Sequence, residues 1–259
     1  MKATADLPFN PCILIPVYNH AAVLENTVRL LVARGLSIVI VNDGSDAPHR
    51  AILERLAQGH ACVHLVTHAR NSGKGAAVKT GLIHAQELQF SHALQVDADG
   101  QHDLGDIERF LEAARAHPAA LVAGHPVYDE SVPRLRFYSR YLSHVLVWLN
   151  TLSFTIIDSM CGFRVYPLRQ SCQLLKRAWL GNRMDFDGEF IVRWYWAGYP
   201  LVQLPTRVVY PVGGTSHFRY VRDNVLITIM HVKLFLLMIL RLPILLARKF
   251  RATPPQFEV

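Results

Sequence analysis

Residues 12–58 read CILIPV (Cys12–Val17), a helix-spaced stretch (Ala22–Ala33), SIVIV (Ser37–Val41) and a second helix-spaced stretch (Pro48–Gln58). A short apolar run, a segment with apolar residues three and four apart, and another short run make up the pattern of a βαβ unit. The runs are apolar almost without a break, as strands are when both faces of a parallel sheet are covered. The same rhythm continues outward. Cys62–Thr67, His92–Val96 and Ala120–Ala123 are expected strands, and Lys74–Gln89 and Leu104–Ala116 expected helices. The fold class is therefore α/β, a mostly parallel sheet with helices on both faces. In such sheets ligands bind beyond the carboxyl ends of the strands, so chemistry should follow each apolar run.

The rhythm changes after Val127. Val132–Ile157 is rich in aromatics and arginine, and Asp158–Tyr166 reads as a compact turn-like segment. Phe186–Gly198 reads as a helix, Leu201–Tyr210 as extended chain, and Pro211–Ser216 as a glycine-rich loop. With no repeat, low-complexity tract or long linker, the simplest partition is one domain over 1–218 and a basic, apolar tail over 219–259.

The chain has 259 residues, 51% of them hydrophobic and 18% charged, with a formal net charge of +7. That composition excludes disorder and collagen-like sequence and supplies a large core. A basic, charge-poor chain suits an anionic or apolar partner: nucleic acid, membrane or a phosphorylated substrate. Cys12, Cys62, Cys161 and Cys172 show no metal-ligand spacing and read as reduced thiols of a cytosolic protein. No signal peptide is expected from the first 20 residues. The most apolar stretch, Val225–Ala247, is interrupted by His231, Lys233, Arg241 and Pro243. An ordinary transmembrane span is therefore not expected there, whereas a membrane-lying helix is.

Asp97-Ala98-Asp99 follows the fourth expected strand and continues Gly100-Gln101-His102-Asp103. On extended backbone, residues i and i+2 face one side, so two carboxylates can converge on a hard cation such as Mg²⁺ or Mn²⁺. The same residues also fit a turn capping the next helix, a role Asp103 suits. Asn42-Asp43-Gly44-Ser45 follows the second strand; Asp43 either accepts from a nucleoside or closes an Asx turn. Asn71-Ser72-Gly73-Lys74-Gly75 follows the third and opens a helix, where backbone N–H groups and Lys74 suit an anion. It is neither a P-loop nor a dinucleotide fingerprint.

In order, the pieces are IPVYN (15–19), NDGS (42–45), NSGKGAA (71–77), DADGQH (97–102), DSMCGFR (158–164), FDGE (186–189) and GGTSH (213–217). The series resembles the inverting glycosyltransferases of family 2 with a GT-A (Rossmann-like) fold, particularly the dolichyl- or polyprenyl-phosphate mannose synthase branch. The resemblance implies that Asp97 and Asp99 hold Mg²⁺ or Mn²⁺ on the diphosphate of a UDP- or GDP-sugar, with Gln101 as a further ligand. It implies that Pro16, Tyr18, Asn19 and Asp43 line the nucleoside pocket, with Lys74 and Ala98 also on the donor. Arg164 would contact the phosphate of a lipid acceptor; an ion pair with Asp158 is the other reading. Arg136 and Arg140, four apart on a helix, add phosphate charge or form a solvated basic face. His217 stands where the family commonly has lysine, so its charge there would depend on pH. Asn42-Asp43 also departs from the two acidic residues often found in the family.

For a hydroxyl acceptor the candidate bases are Asp187 and Glu189, of which Glu189 matches the family element better. For a polyprenyl phosphate, already mostly dianionic at neutral pH, a base is scarcely needed. Polyprenyl phosphate is the expected acceptor. A hydroxyl acceptor on another lipid or carrier is the same-fold alternative, and a noncatalytic nucleotide-binding membrane adaptor the alternative of another class. Nucleic acid drops out of the partner list. In the tail, Arg219, Arg222, Lys233, Arg241, Arg248, Lys249 and Arg251 flank or punctuate the apolar stretch. A membrane-interface helix on a cytoplasmic, inner-face peripheral enzyme and a helix at a homo-oligomer contact both fit that pattern.

Overall fold

The computed structural model describes residues 8–127, 134–207, 219–249 and 257–258. Its strands are β1 (Pro11–Val17), β2 (Ser37–Asn42), β3 (Val63–Thr67), β4 (His92–Gln95), β5 (Leu121–Val127), β6 (Arg164–Pro167), β7 (Leu201–Arg207) and β8 (Phe257–Glu258). Its helices are α1 (Ala21–Ala33), α2 (Ala47–Gly59), α3 (Lys74–Glu87), α4 (Ile107–Ala116), α5 (Arg134–Thr151), α6 (Leu168–Arg177), α7 (Phe186–Ala197) and α8 (Tyr220–Lys249). The strands form one sheet in the order β3-β2-β1-β4-β6-β5-β7-β8. Among the described strands only β6 runs against its neighbours, β4 and β5.

The apolar runs behave as two-sided strands. Along β1, Cys12 and Leu14 join the core under α3, α6, α7 and α8, while Ile13, Ile15 and Val17 join the core under α1, α2 and α4. Each expected strand and helix of the first 123 residues is present, with ends shifted by no more than four residues.

Two expectations change. The segment Asp158–Tyr166, read as turn-like, delivers β6 into the middle of the sheet, with Arg164 opposite Gln95 of β4 and Ala123 of β5. A charged residue opening a four-residue strand hid it; the guanidinium is accommodated by carbonyl partners described below. The tail is also one continuous helix, with Pro243 inside it. Val221–Arg248 contains an 18-residue window of mean hydropathy 2.2 and is long and apolar enough, by length and composition, to cross a membrane.

The helix continues through its polar residues, several of which meet the domain. His231 is buried beside Asn150 of α5, and Lys233 pairs with Glu189 of α7. The Arg241 guanidinium lies 5.2 Å from the Trp196 ring centre, and Arg248 donates to the Tyr195 carbonyl. Ile227, Met230, Leu234 and Met238 complete the inner stripe at three- and four-residue spacing. Val225, Ile229, Val232, Leu236, Leu240 and Ile244 are left exposed. Lys233, Arg241 and Arg248, read from sequence as cations toward lipid head groups, are thus engaged by the protein.

Candidate active site

Strands β1 to β4 run parallel, so their carboxyl ends open on one edge. The loops there are tied to one another. The Asn19 N–H donates to Ser45 Oγ, and the Asp46 N–H to Asn19 Oδ1. Asn19 has φ +52°, a left-handed backbone that Asn tolerates better than most residues and that recurs at functional sites. Pro16 is buried within β1, and Tyr18 is half-buried beyond it.

Asp43 is 3% exposed, and each of its carboxylate oxygens is engaged. It accepts from the N–H groups of Ser72 (2.9 Å) and Gly73 (2.8 Å) and lies 2.7 Å from His68 Nδ1. The side chain expected to line a nucleoside pocket therefore holds the 71–73 turn in place. Gly44 makes this possible: at φ +72°, a Cβ there would sit 2.4 Å from the Arg70 carbonyl carbon.

The braced turn aims Lys74, the first residue of α3, at two carboxylates. Its Nζ lies 2.8 Å from Asp97 Oδ2 and 3.1 Å from Asp187 Oδ2. Asp97 Oδ1 accepts from Gln95 Nε2 at 2.9 Å, and Gln95 Oε1 in turn accepts from the Tyr166 hydroxyl at 3.0 Å. His102 Nε2 stands 3.4 Å from Asp97 Oδ2. Burial alone would lift the Asp97 pKa, but Lys74 and His102 outweigh it and hold the carboxyl well below the usual carboxylate range. Burial likewise works against charge on Lys74, and Asp187 and Asp97 reverse that, raising it above an ordinary ammonium. Burial, and then the Asp97 charge, push Asp99 upward. Asp99 Oδ1 accepts from the Gln101 N–H, Ala98 packs partly into the apolar core, and Asp103 caps the turn before α4 as expected. Among the described residues no three His, Cys, Asp or Glu side chains form a ready metal cage.

Arg164 and Glu189 sit differently from their sequence-based roles. Arg164 is fully buried, and its guanidinium donates to the carbonyls of Asp187 and Ser159, both at 2.8 Å. It ties the Ser159 turn to the start of α7 beside the cluster. Glu189, at 1% exposure, has Arg193 Nε and Lys233 Nζ each 2.7 Å from Oε1, and the Gly181 N–H on Oε2. A carboxylate engaged on both oxygens is a structural tie between α7, α8 and the loop at 181, not a waiting base. Of the two candidates, Asp187 is the one beside Asp97, and its buried Oδ1 has no hydrogen-bond partner. His217 and the side chains of Arg136 and Arg140 lie outside the described residues.

Sequence reasoning passed over Gln95, His102, Gly162 and Tyr166. A glutamine inside an otherwise apolar strand was the available signal for the first. Gly162 stood only as one position of DSMCGFR, yet a Cβ there would lie 2.7 Å from Asp97 Oδ2 and 2.8 Å from Lys74 Nζ.

The family model described as glycosyl transferase family 2 matches residues 12–182, which carry every loop of this edge and the DADGQH segment. The chain belongs to that family. A dolichyl-phosphate beta-glucosyltransferase of Trichomonas vaginalis is 28% identical over 211 residues, covering 74% of this chain and 64% of its own length. A UDP-N-acetylglucosamine–dolichyl-phosphate N-acetylglucosaminyltransferase of Methanococcus voltae is 32% identical over 198 residues, covering 70% of this chain and 78% of its own. The chain spans 58% to 64% of the length of three such Trichomonas relatives. Among solved structures, a mannosyltransferase of Pyrobaculum calidifontis in complex with GDP-mannose and Mn²⁺ shares the GT-A fold. Its TM-score is 0.53 at 18% identity, covering 79% of this chain and 58% of that one. The family match ends before Asp187 and α8.

Proposed function

We propose that this protein transfers a sugar, with inversion, from a nucleoside diphosphate sugar to a polyprenyl phosphate, with a divalent cation as cofactor. The observation that carries this reading is the Lys74–Asp97–Asp187 cluster at the carboxyl ends of the parallel strands of a family 2 chain. The names of the relatives support a lipid-phosphate acceptor, and the Pyrobaculum complex supports a nucleotide-sugar donor with Mn²⁺.

The residues fit a hard divalent cation. They supply carboxylates only two residues apart, an Asp99 carboxyl that burial and then the neighbouring Asp97 push upward, and a buried Asp187 oxygen without a partner. Asp97 and Asp99, with Gln101, would hold the ion, which would supply neutralising charge to the departing nucleoside diphosphate. Tyr18 and Asn19 border the space for the nucleoside. Asp43 acts by fixing the turn that presents Lys74 to the diphosphate. Gln95 and Tyr166 keep the Asp97 carboxylate in one orientation. Burial raises the Tyr166 pKa, so its hydroxyl remains a donor.

The acceptor decides whether a base is needed. A phosphomonoester with a second pKa of about 6 attacks as a dianion, so Asp187 need not take a proton. Asp187→Asn keeps an acceptor for Lys74 and should therefore lower kcat by less than about tenfold. A fall of about a thousandfold or more, with normal folding, would instead assign a hydroxyl acceptor and a catalytic base. Gly162→Ala gives a separate check on the cluster. The added methyl meets only the far ends of Asp97, Gln95 and Lys74, so the protein should fold with about 1–3 kcal/mol less stability. Transfer should fall about a hundredfold, because all three side chains must shift. Equilibrium denaturation and initial rates on one preparation separate these effects.

Membrane attachment enters through α8. Its charged residues over 233–248 are engaged by the domain, and its outward face is apolar. That face suits a cytoplasmic-side lipid surface from which the acceptor is drawn.

A further inference from the structure

Every oxygen of Asp97 already has a partner. Oδ1 accepts from Gln95, while Oδ2 faces Lys74 at 2.8 Å and His102 at 3.4 Å, and a Cβ at Gly162 would fall 2.7 Å from the same oxygen. A cation that takes Oδ2 must therefore compete with the groups already on it. Gln95 is held by Tyr166 behind it, and the His102 ring packs on Phe163 with centroids 5.1 Å apart. Lys74 is the partner on a long flexible stem, standing at the first position of α3. Its ammonium bridges Asp97 and Asp187 as a single positive charge among Asp97, Asp99 and Asp187, leaving one Asp187 oxygen unpartnered.

We propose that Lys74 is an exchangeable counter-ion: it occupies Asp97 until a donor diphosphate draws it away, so that divalent cation and donor bind cooperatively. This rests on the metal and donor assignments proposed above. It adds a consequence: the free protein binds the cation weakly because one of its own side chains competes for the carboxylate. A diphosphate offers the ammonium a more highly charged partner, and its departure frees Asp97 when phosphate oxygens become available as further ligands. Two ligands coupled in this way must assist each other by the same factor.

The test is Mn²⁺ titration of the full-length protein, followed by the electron paramagnetic resonance signal of free Mn²⁺, with and without UDP or GDP. Wild type should bind Mn²⁺ weakly alone and at least about tenfold more tightly with the matching nucleotide. Lys74→Met, and Lys74→Gln as a second variant should the first fold poorly, should bind Mn²⁺ alone at least about tenfold more tightly than wild type. The nucleotide should then add little. Lys74→Arg, which keeps the charge, should behave as wild type. If wild type gains affinity with nucleotide but the Met and Gln variants bind Mn²⁺ alone no better than wild type, the counter-ion role is overturned and the metal assignment stands. If no form binds Mn²⁺ under any condition, both fall.

Discussion

Asp97→Asn is expected to lower kcat for sugar transfer by about a thousandfold or more while leaving the protein folded. The carboxylate is the shared partner of Lys74, Gln95 and His102, and the proposed ligand of the cation. Losing the charge that holds a Lewis acid removes several kcal/mol of transition-state stabilisation, and each ~1.4 kcal/mol is a factor of ten. The fold should tolerate the change. Asparagine can still accept from Gln95, and Lys74 keeps Asp187 at 3.1 Å. Thermal denaturation and transfer rates measured together check both halves. Activity within tenfold of wild type would remove Asp97 from the chemistry.

Arg164→Leu is expected to have the largest effect on stability, a loss of about 3–5 kcal/mol by urea denaturation. The guanidinium is wholly buried and ties the carbonyls of Ser159 and Asp187. Leucine would leave both acceptors unsatisfied beside a buried carboxylate. Arg164→Lys should recover only part of the loss, since a single ammonium does not reproduce a planar fork reaching two carbonyls. An Arg164→Leu protein of wild-type stability, with weakened acceptor binding alone, would restore the acceptor-phosphate role that the family resemblance implies.

The sequence was most legible where local pattern and tertiary structure agree. The unbroken apolar run Cys12–Val17 and the helix spacing of Ala22–Ala33 and Leu104–Ala116 report burial directly, so β1, α1 and α4 follow from them. DADGQH was legible as the loop that follows a strand, because the apolar run before it marks the end of β4. Arg164 was read as a phosphate contact or a partner of Asp158, because the carbonyls that accept its guanidinium, one of them on α7, are brought there only by the fold. Glu189 misled for the same reason: its partners include Lys233, which arrives from α8. The pairing of Lys74 with Asp187 joins residues more than a hundred positions apart, and no periodicity records such contacts. The contacts of Lys233, Arg241 and Arg248 likewise depend on where α7 lies, so the tail looked more broken in sequence than the helix is.

The central claim is sugar transfer from a nucleotide donor to a lipid phosphate. The most direct measurement is incorporation of radiolabelled sugar from UDP- and GDP-sugars into purified polyprenyl phosphate by the full-length protein with Mn²⁺, beside polyprenol as the hydroxyl control. Label should appear in polyprenyl phosphate with one class of donor, disappear with EDTA, and be absent from polyprenol. Labelling of polyprenol in preference to its phosphate, or of neither lipid with any donor, would contradict the account.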